Sequence, residues 1–208
     1  MTVVDGPCAR SQCSDTSVFF GQWLRSPGRV GAIAPSSPAL ARAITASLPE
    51  RGEPVVVELG AGTGPFTTEI QGRLGNRGRH LAVEVNPTMA ALLRNRFRAA
   101  DVVEGDARHL PQLLAERGIG DADVIVSGLP WAVFRADVQD QLLGAIVEAM
   151  SPDGVFATFS YLHALPLRAA RRFRALVADR FEEVLFSRTV WRNVPPAYVM
   201  YARRPRFQ

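Results

Sequence analysis

The sequence predicts an α/β fold: a doubly wound, seven-stranded, mostly parallel sheet that closes in a C-terminal antiparallel hairpin. Three observations predict it. Five short runs rich in Val, Ile, Ala and Phe alternate with helix-period segments between residues 54 and 162. A glycine-rich turn, ELGAGTG (58–64), follows the first of them. The last two apolar runs are separated only by RNVPP (192–196), which leaves no room for a crossover helix, so they pair antiparallel. Right-handed crossovers between the other strands place helices on both faces of the sheet.

Each element has a local reason. Residues 1–14 are polar and aperiodic and read as a disordered tail. It holds both cysteines, Cys8 and Cys13, and a C-x4-C pair with no second half supports neither a disulfide framework nor a metal site. Residues 15–53 read as an N-terminal helical segment. A first helix is capped at Asp15 or Thr16 and lines up Phe20, Trp23 and Leu24. A second, over 39–48, is opened by Ser36, Ser37 and Pro38. The regular domain follows over 54–208. Its strands are VVVEL (55–59), HLAVEV (80–85), DVVEG (101–105), ADVIVSG (122–128) and GVFATFSYL (154–162), then the pair 181–191 and 197–203. Its helices fall at about 66–74, 87–97, 110–117, 136–150 and 167–178.

Composition limits function. With 47% apolar and 21% charged residues, the chain has an ordinary globular balance. No apolar run approaches the roughly 20 residues that span a bilayer, and the N-terminus lacks the pattern of a secretory signal. A cytoplasmic location is expected. There is no lysine, which excludes Schiff-base chemistry through one. From residue 164 onward ten arginines face only Asp179, Glu182 and Glu183. Two readings are open for such an end: it meets phosphate, or it is a solvated face.

The cofactor site is read from four stretches. Gly60, Gly62 and Gly64 let the backbone turn sharply and approach a ligand closely. Glu84, with Val85 and Asn86, ends strand two, where a carboxylate can accept ribose hydroxyls. Asp106 and Ala107 follow strand three, where an acid can take an adenine amino group. Glu58 stands directly before the glycine loop and decides the ligand's charge. An acid there opposes a pyrophosphate and suits S-adenosylmethionine, which carries an ammonium and a sulfonium. As a set these features resemble the class I S-adenosylmethionine-dependent methyltransferases over residues 55 to about 160. Seven strands with a terminal hairpin are also that family's Rossmann-like plan.

Ser127, Gly128, Leu129, Pro130 and Trp131 end strand four, beside the switch point of the sheet. The stretch is similar to the catalytic motif of N-methylating enzymes. Ser127 replaces the asparagine that adenine methyltransferases carry there, which counts against a nucleobase acceptor. Two roles are open to Trp131: its π face flanks a methylated cation, or it joins the core. Tyr161 and His163, after strand five, are the candidates to relay a proton from an ammonium acceptor. No metal site is expected.

The chain's ends also resemble one family. WLRSP (23–27) through GAIAPSS (31–37), the Ser-x-Leu-Pro form of the strand-four motif and WRNVPPA (191–197) are similar to bacterial phospholipid N-methyltransferases, over about 18–202. The resemblance implies methyl transfer to the amine of phosphatidylethanolamine and its partly methylated derivatives. It also implies peripheral attachment to the inner face of the membrane, with Ser36 at the cofactor and Trp23, Pro130, Trp131 and Asn193 at the acceptor. A soluble small-molecule amine is the alternative acceptor. No nucleic-acid partner is expected, and the chain should be a monomer or weak oligomer.

Overall fold

Strand propensity and helix caps are realised nearly where the sequence sets them. A computed structural model of the chain describes residues 36–207. The expected tail 1–14, the first helix and Trp23 lie outside the described residues. The elements are α1 (Pro38–Ile44), β1 (Val55–Leu59), α2 (Pro65–Leu74), β2 (Arg79–Glu84), α3 (Pro87–Arg96), β3 (Asp101–Glu104), α4 (Leu110–Ala115), β4 (Ala122–Ser127), α5 (Ala136–Glu148), β5 (Met150–Tyr161), α6 (Arg168–Arg180), β6 (Phe181–Phe186) and β7 (Ala197–Pro205). Short 3₁₀ turns at Ala107–His109 and Leu162–Ala164 lead into α4 and towards α6.

The seven strands form one sheet in the order β3-β2-β1-β4-β5-β7-β6. All contacts among β1 to β5 are parallel. β7 runs antiparallel to both neighbours, as the short terminal connection requires. That connection is longer than expected. β6 stops at Phe186, and 187–196 is a loop held by one isolated bridge, Val190 to Ala197. Ser187 explains the early stop, because its side chain accepts the Val199 N–H at 2.9 Å and so occupies a donor of the neighbouring strand.

Helices pack on both faces. On one face, Leu40 and Ile44 of α1 and Phe66, Ile70 and Leu74 of α2 meet Val56, Val124, Val126, Ala157 and Val199. Because α1 shares this core, the boundary expected at residue 53 is absent: α1 belongs to the sheet domain. Ser37 caps α1 by accepting the Leu40 N–H at 3.2 Å, and Pro38 opens its first turn. On the other face, Phe156 is fully buried between Trp131 and Phe181, and α6 reaches Trp131 through Phe173. Chain order reverses between β1 and β4, which opens a crevice beyond their carboxyl ends. Among the described residues no helix is long and apolar enough to cross a membrane.

Candidate active site

The glycine loop after β1 sets the geometry. Gly60, Gly62 and Gly64 have φ of 72°, 57° and 87°, in the left-handed region where a side chain is strained. Two of them also have neighbours that a Cβ would strike. One on Gly60 would meet Leu129 at 2.9 Å, and one on Gly64 would press into Phe97. Among the described residues a Cβ on Gly62 would meet nothing within 4 Å, so a ligand has room to approach the loop there. Gly128 closes the crevice from the β4 side: its own Cβ would sit 2.8 Å from the Gly60 carbonyl oxygen.

Glu84 pins this loop. One carboxylate oxygen accepts the Gly62 N–H at 2.9 Å and the other accepts the Asn86 N–H at 2.9 Å. Burial pushes its carboxyl above the ordinary range against the pull of those two N–H groups, and repulsion from Glu58 adds to the rise. Each oxygen keeps a further lone pair for a hydroxyl. Val85 is half-buried beside it. Asn86 serves the fold: its side-chain oxygen caps α3 by accepting from Thr88 and Met89.

Glu58 is fully buried, at 0% exposure. The Thr67 hydroxyl donates to Oε2 at 2.8 Å, and His80 Nε2 lies 3.2 Å from the same oxygen. Gln71 in turn holds the other nitrogen of His80 at 2.8 Å. The second carboxylate oxygen, Oε1, is buried and has no hydrogen-bond partner among the described residues. An uncommitted anionic oxygen two residues before Gly60 fits a cationic group and disfavours a phosphate. Sequence reasoning found Glu58 but missed Thr67, His80 and Gln71. Their only signal was polar residues at positions otherwise facing the core.

Asp106 is engaged more fully than expected. It caps the 3₁₀ turn by accepting the Arg108 N–H at 2.9 Å, and the Arg108 guanidinium bridges both its oxygens, at 2.6 Å to Oδ2. Burial raises its carboxyl, but those bonds and charges outweigh it and hold the group below the ordinary range. Ala107 is buried beside it. The acid that could meet an adenine amino group is therefore ionised and already carries one cation.

The strand-four motif departs from expectation. The Trp131 indole N–H donates to Ser127 Oγ at 3.0 Å, one ring face stacks on Phe173 at 4.2 Å, and Phe134 and Phe156 close its edges. At 3% exposure it is a core residue, not an open face for a methylated cation. Leu129 is buried against Gly60, and Pro130 is half-buried beside it. Gln139, also unnoticed in the sequence, fixes the segment from below. It donates to the carbonyls of Trp131 at 2.6 Å and Ala169 at 3.1 Å, while Arg172 donates to its oxygen at 3.0 Å. Asn193 is corrected as well. Its oxygen accepts the Ser37 N–H at 2.9 Å and its amide donates to the Pro195 carbonyl at 2.7 Å, so it latches the start of α1 to the 187–196 loop. With its amide so engaged and 3% exposed, it offers nothing to an acceptor. Ser36 is half-buried next to this latch.

Tyr161 and His163 stand at the carboxyl end of β5 with their rings stacked at 5.5 Å. Burial raises the Tyr161 phenol, so it stays protonated at neutral pH; His163 is exposed.

A glycine loop bounded by two buried acids, at the switch point of a sheet ordered 3-2-1-4-5-7-6, defines a class I methyltransferase. Comparison with known proteins agrees. The model of a methyltransferase domain family matches residues 56–154. An ornithine lipid N-methyltransferase from Singulisphaera acidiphila is 40% identical over 192 residues, 91% of this chain and 96% of that protein. Among solved structures, a TehB-like S-adenosylmethionine-dependent methyltransferase from Corynebacterium glutamicum has a TM-score of 0.55 at 17% identity, covering 90% of this chain and 97% of that one. A precorrin-6y C5,15-methyltransferase from Geobacter metallireducens has a TM-score of 0.58 at 17% identity, covering 80% and 87%. The chain belongs to the class I S-adenosylmethionine-dependent methyltransferases, and S-adenosylmethionine is its cofactor.

Proposed function

We propose that the enzyme transfers methyl groups to the primary amine of a membrane aminolipid head group. The observation that carries this reading is 40% identity, across 91% of this chain and 96% of the other, to an ornithine lipid N-methyltransferase. The motif resemblance to phospholipid N-methyltransferases points to phosphatidylethanolamine. Both head groups present a primary amine, and that shared chemistry is the acceptor.

Glu84 and the Gly62 region would hold the ribose, while Glu58 Oε1 and the loop would receive the cationic amino-acid end. When bound, S-adenosylmethionine supplies an electrophilic methyl group on its sulfonium. The acceptor arrives as an ammonium and must lose a proton to present a lone pair in line with the S–C bond. His163 is the exposed base at the rim and takes that proton. Tyr161, held protonated by burial, orients the imidazole by stacking and the amine through its hydroxyl. Transfer would release S-adenosylhomocysteine and leave an N-methylated ammonium on the head group.

The test is transfer of labelled methyl groups to vesicles containing either ornithine lipid or phosphatidylethanolamine. Label in lipid, lost in Glu58→Ala, is the expected result, and the preferred lipid names the head group. Tight cofactor binding with label only in soluble amines would overturn the lipid reading.

A further inference from the structure

We propose that the 187–196 loop, with the adjoining ends of β6 and α6, forms a docking surface for an anionic bilayer beside the acceptor side of the site. This rests on the aminolipid reading and adds where the membrane lies. The loop joins the carboxyl end of β6 to the start of β7, the same edge of the sheet as Tyr161. A hydrogen bond of 3.0 Å from the Leu162 N–H to the Pro196 carbonyl ties it to the turn that carries His163.

What the loop exposes is unusual for a solvated turn. Trp191 is 71% exposed, Val194 77% and Phe186 56%. Leu167, at the start of α6, adds a fourth large apolar group on this edge. A tryptophan this exposed in a loop suits the headgroup region, where its ring is apolar and its N–H remains wet. Among the described aromatic rings Phe186 meets only Tyr198.

Charge selects the partner. Arg188 and Arg192 flank Trp191, and Arg168 and Arg171 lie in the first turn and a half of α6; all four are exposed. Among the described residues their side chains make no hydrogen bond or ion pair. Arg172 and Arg174, by contrast, turn inward to carbonyls and are spent on the fold. There is no acid between Asp153 and Asp179, and none after Glu183. Two arginines early in α6 also oppose the positive end of its dipole, and no acid in the first turn relieves them. Apolar tips ringed by uncompensated arginines match a surface that is apolar beneath and anionic above. A bilayer held there would present head groups to Tyr161 and His163 without extracting the lipid far.

The experiment is co-sedimentation of the full chain with vesicles of neutral phosphatidylcholine, alone or with phosphatidylglycerol, without cofactor or turnover. Binding should require the anionic lipid. Trp191→Ala combined with Val194→Ala should weaken it at least about 10-fold. Arg188→Glu combined with Arg192→Glu should remove the anionic preference, at about five-fold per arginine. Cofactor affinity should be unchanged in both, which shows that the fold survives. Parent-like vesicle binding by both variants would overturn the docking surface whatever the turnover. So would a concentration-dependent dimer that the Trp191 and Val194 changes dissolve while vesicle binding persists. Vesicle binding lost in the variants, but without methyl transfer to lipid in the parent, would keep the surface and reject the substrate.

Discussion

Replacing His80 by leucine removes the imidazole that faces Glu58. Both groups are buried, with Nε2 3.2 Å from Oε2. Leaving a buried polar group without its partner typically costs about 1–3 kcal/mol, because its desolvation is no longer offset. Thr67 would remain as the donor to Glu58, and Gln71 would lose its partner. For a domain of this size that corresponds to a fall in Tm of about 2–12 °C, followed by calorimetry. Urea unfolding should report the same loss as a lower midpoint at unchanged m. Glu58→Leu combined with His80→Leu should cost less than His80→Leu alone, since two matched apolar groups leave neither facing an unpartnered polar group. At a temperature where His80→Leu is folded, cofactor affinity should drop about 10-fold as the uncommitted oxygen of Glu58 loses its orientation. A His80→Leu protein as stable as the parent would refute the reasoning, as would a double variant less stable than the single.

Two further outcomes follow from the loop. Burial holds the folded pKa of Glu84 above its unfolded value, so the unliganded fold loses stability as pH rises through the window just above the ordinary carboxylate range. Cofactor affinity should run the other way, rising with pH through that window, because the ionised acid is the acceptor. Glu84→Gln should lower affinity about 10–100-fold and flatten this profile in calorimetric titrations, while a flat profile in the parent would exclude the role. Gly128→Ala should cost about 1–3 kcal/mol and weaken cofactor binding, because the added carbon meets a backbone carbonyl that cannot swing aside; parent-like melting and affinity would contradict the packing.

By itself the sequence determined the sheet, its hairpin and the glycine loop, because all three depend on local chemistry: short apolar strand runs alternating with helix-period segments, a cap such as Ser37, and glycines that let the chain turn sharply. It also identified Glu58 and Glu84 as the acids beside that loop, since the strand ends bring them there whatever the packing. Tertiary structure decided how those acids are held. His80 lies 22 residues from Glu58 along the chain, and only the pairing of β1 with β2 places it against that carboxylate. Trp131 and Asn193 carried the same residue types a substrate site would use. Long-range partners, Phe173 for one and Ser37 for the other, turned them into core and latch. Trp191, in the same short motif as Asn193, was left outside. Whether an aromatic residue is buried or presented depends on which surfaces the rest of the chain covers, and no local pattern encodes that.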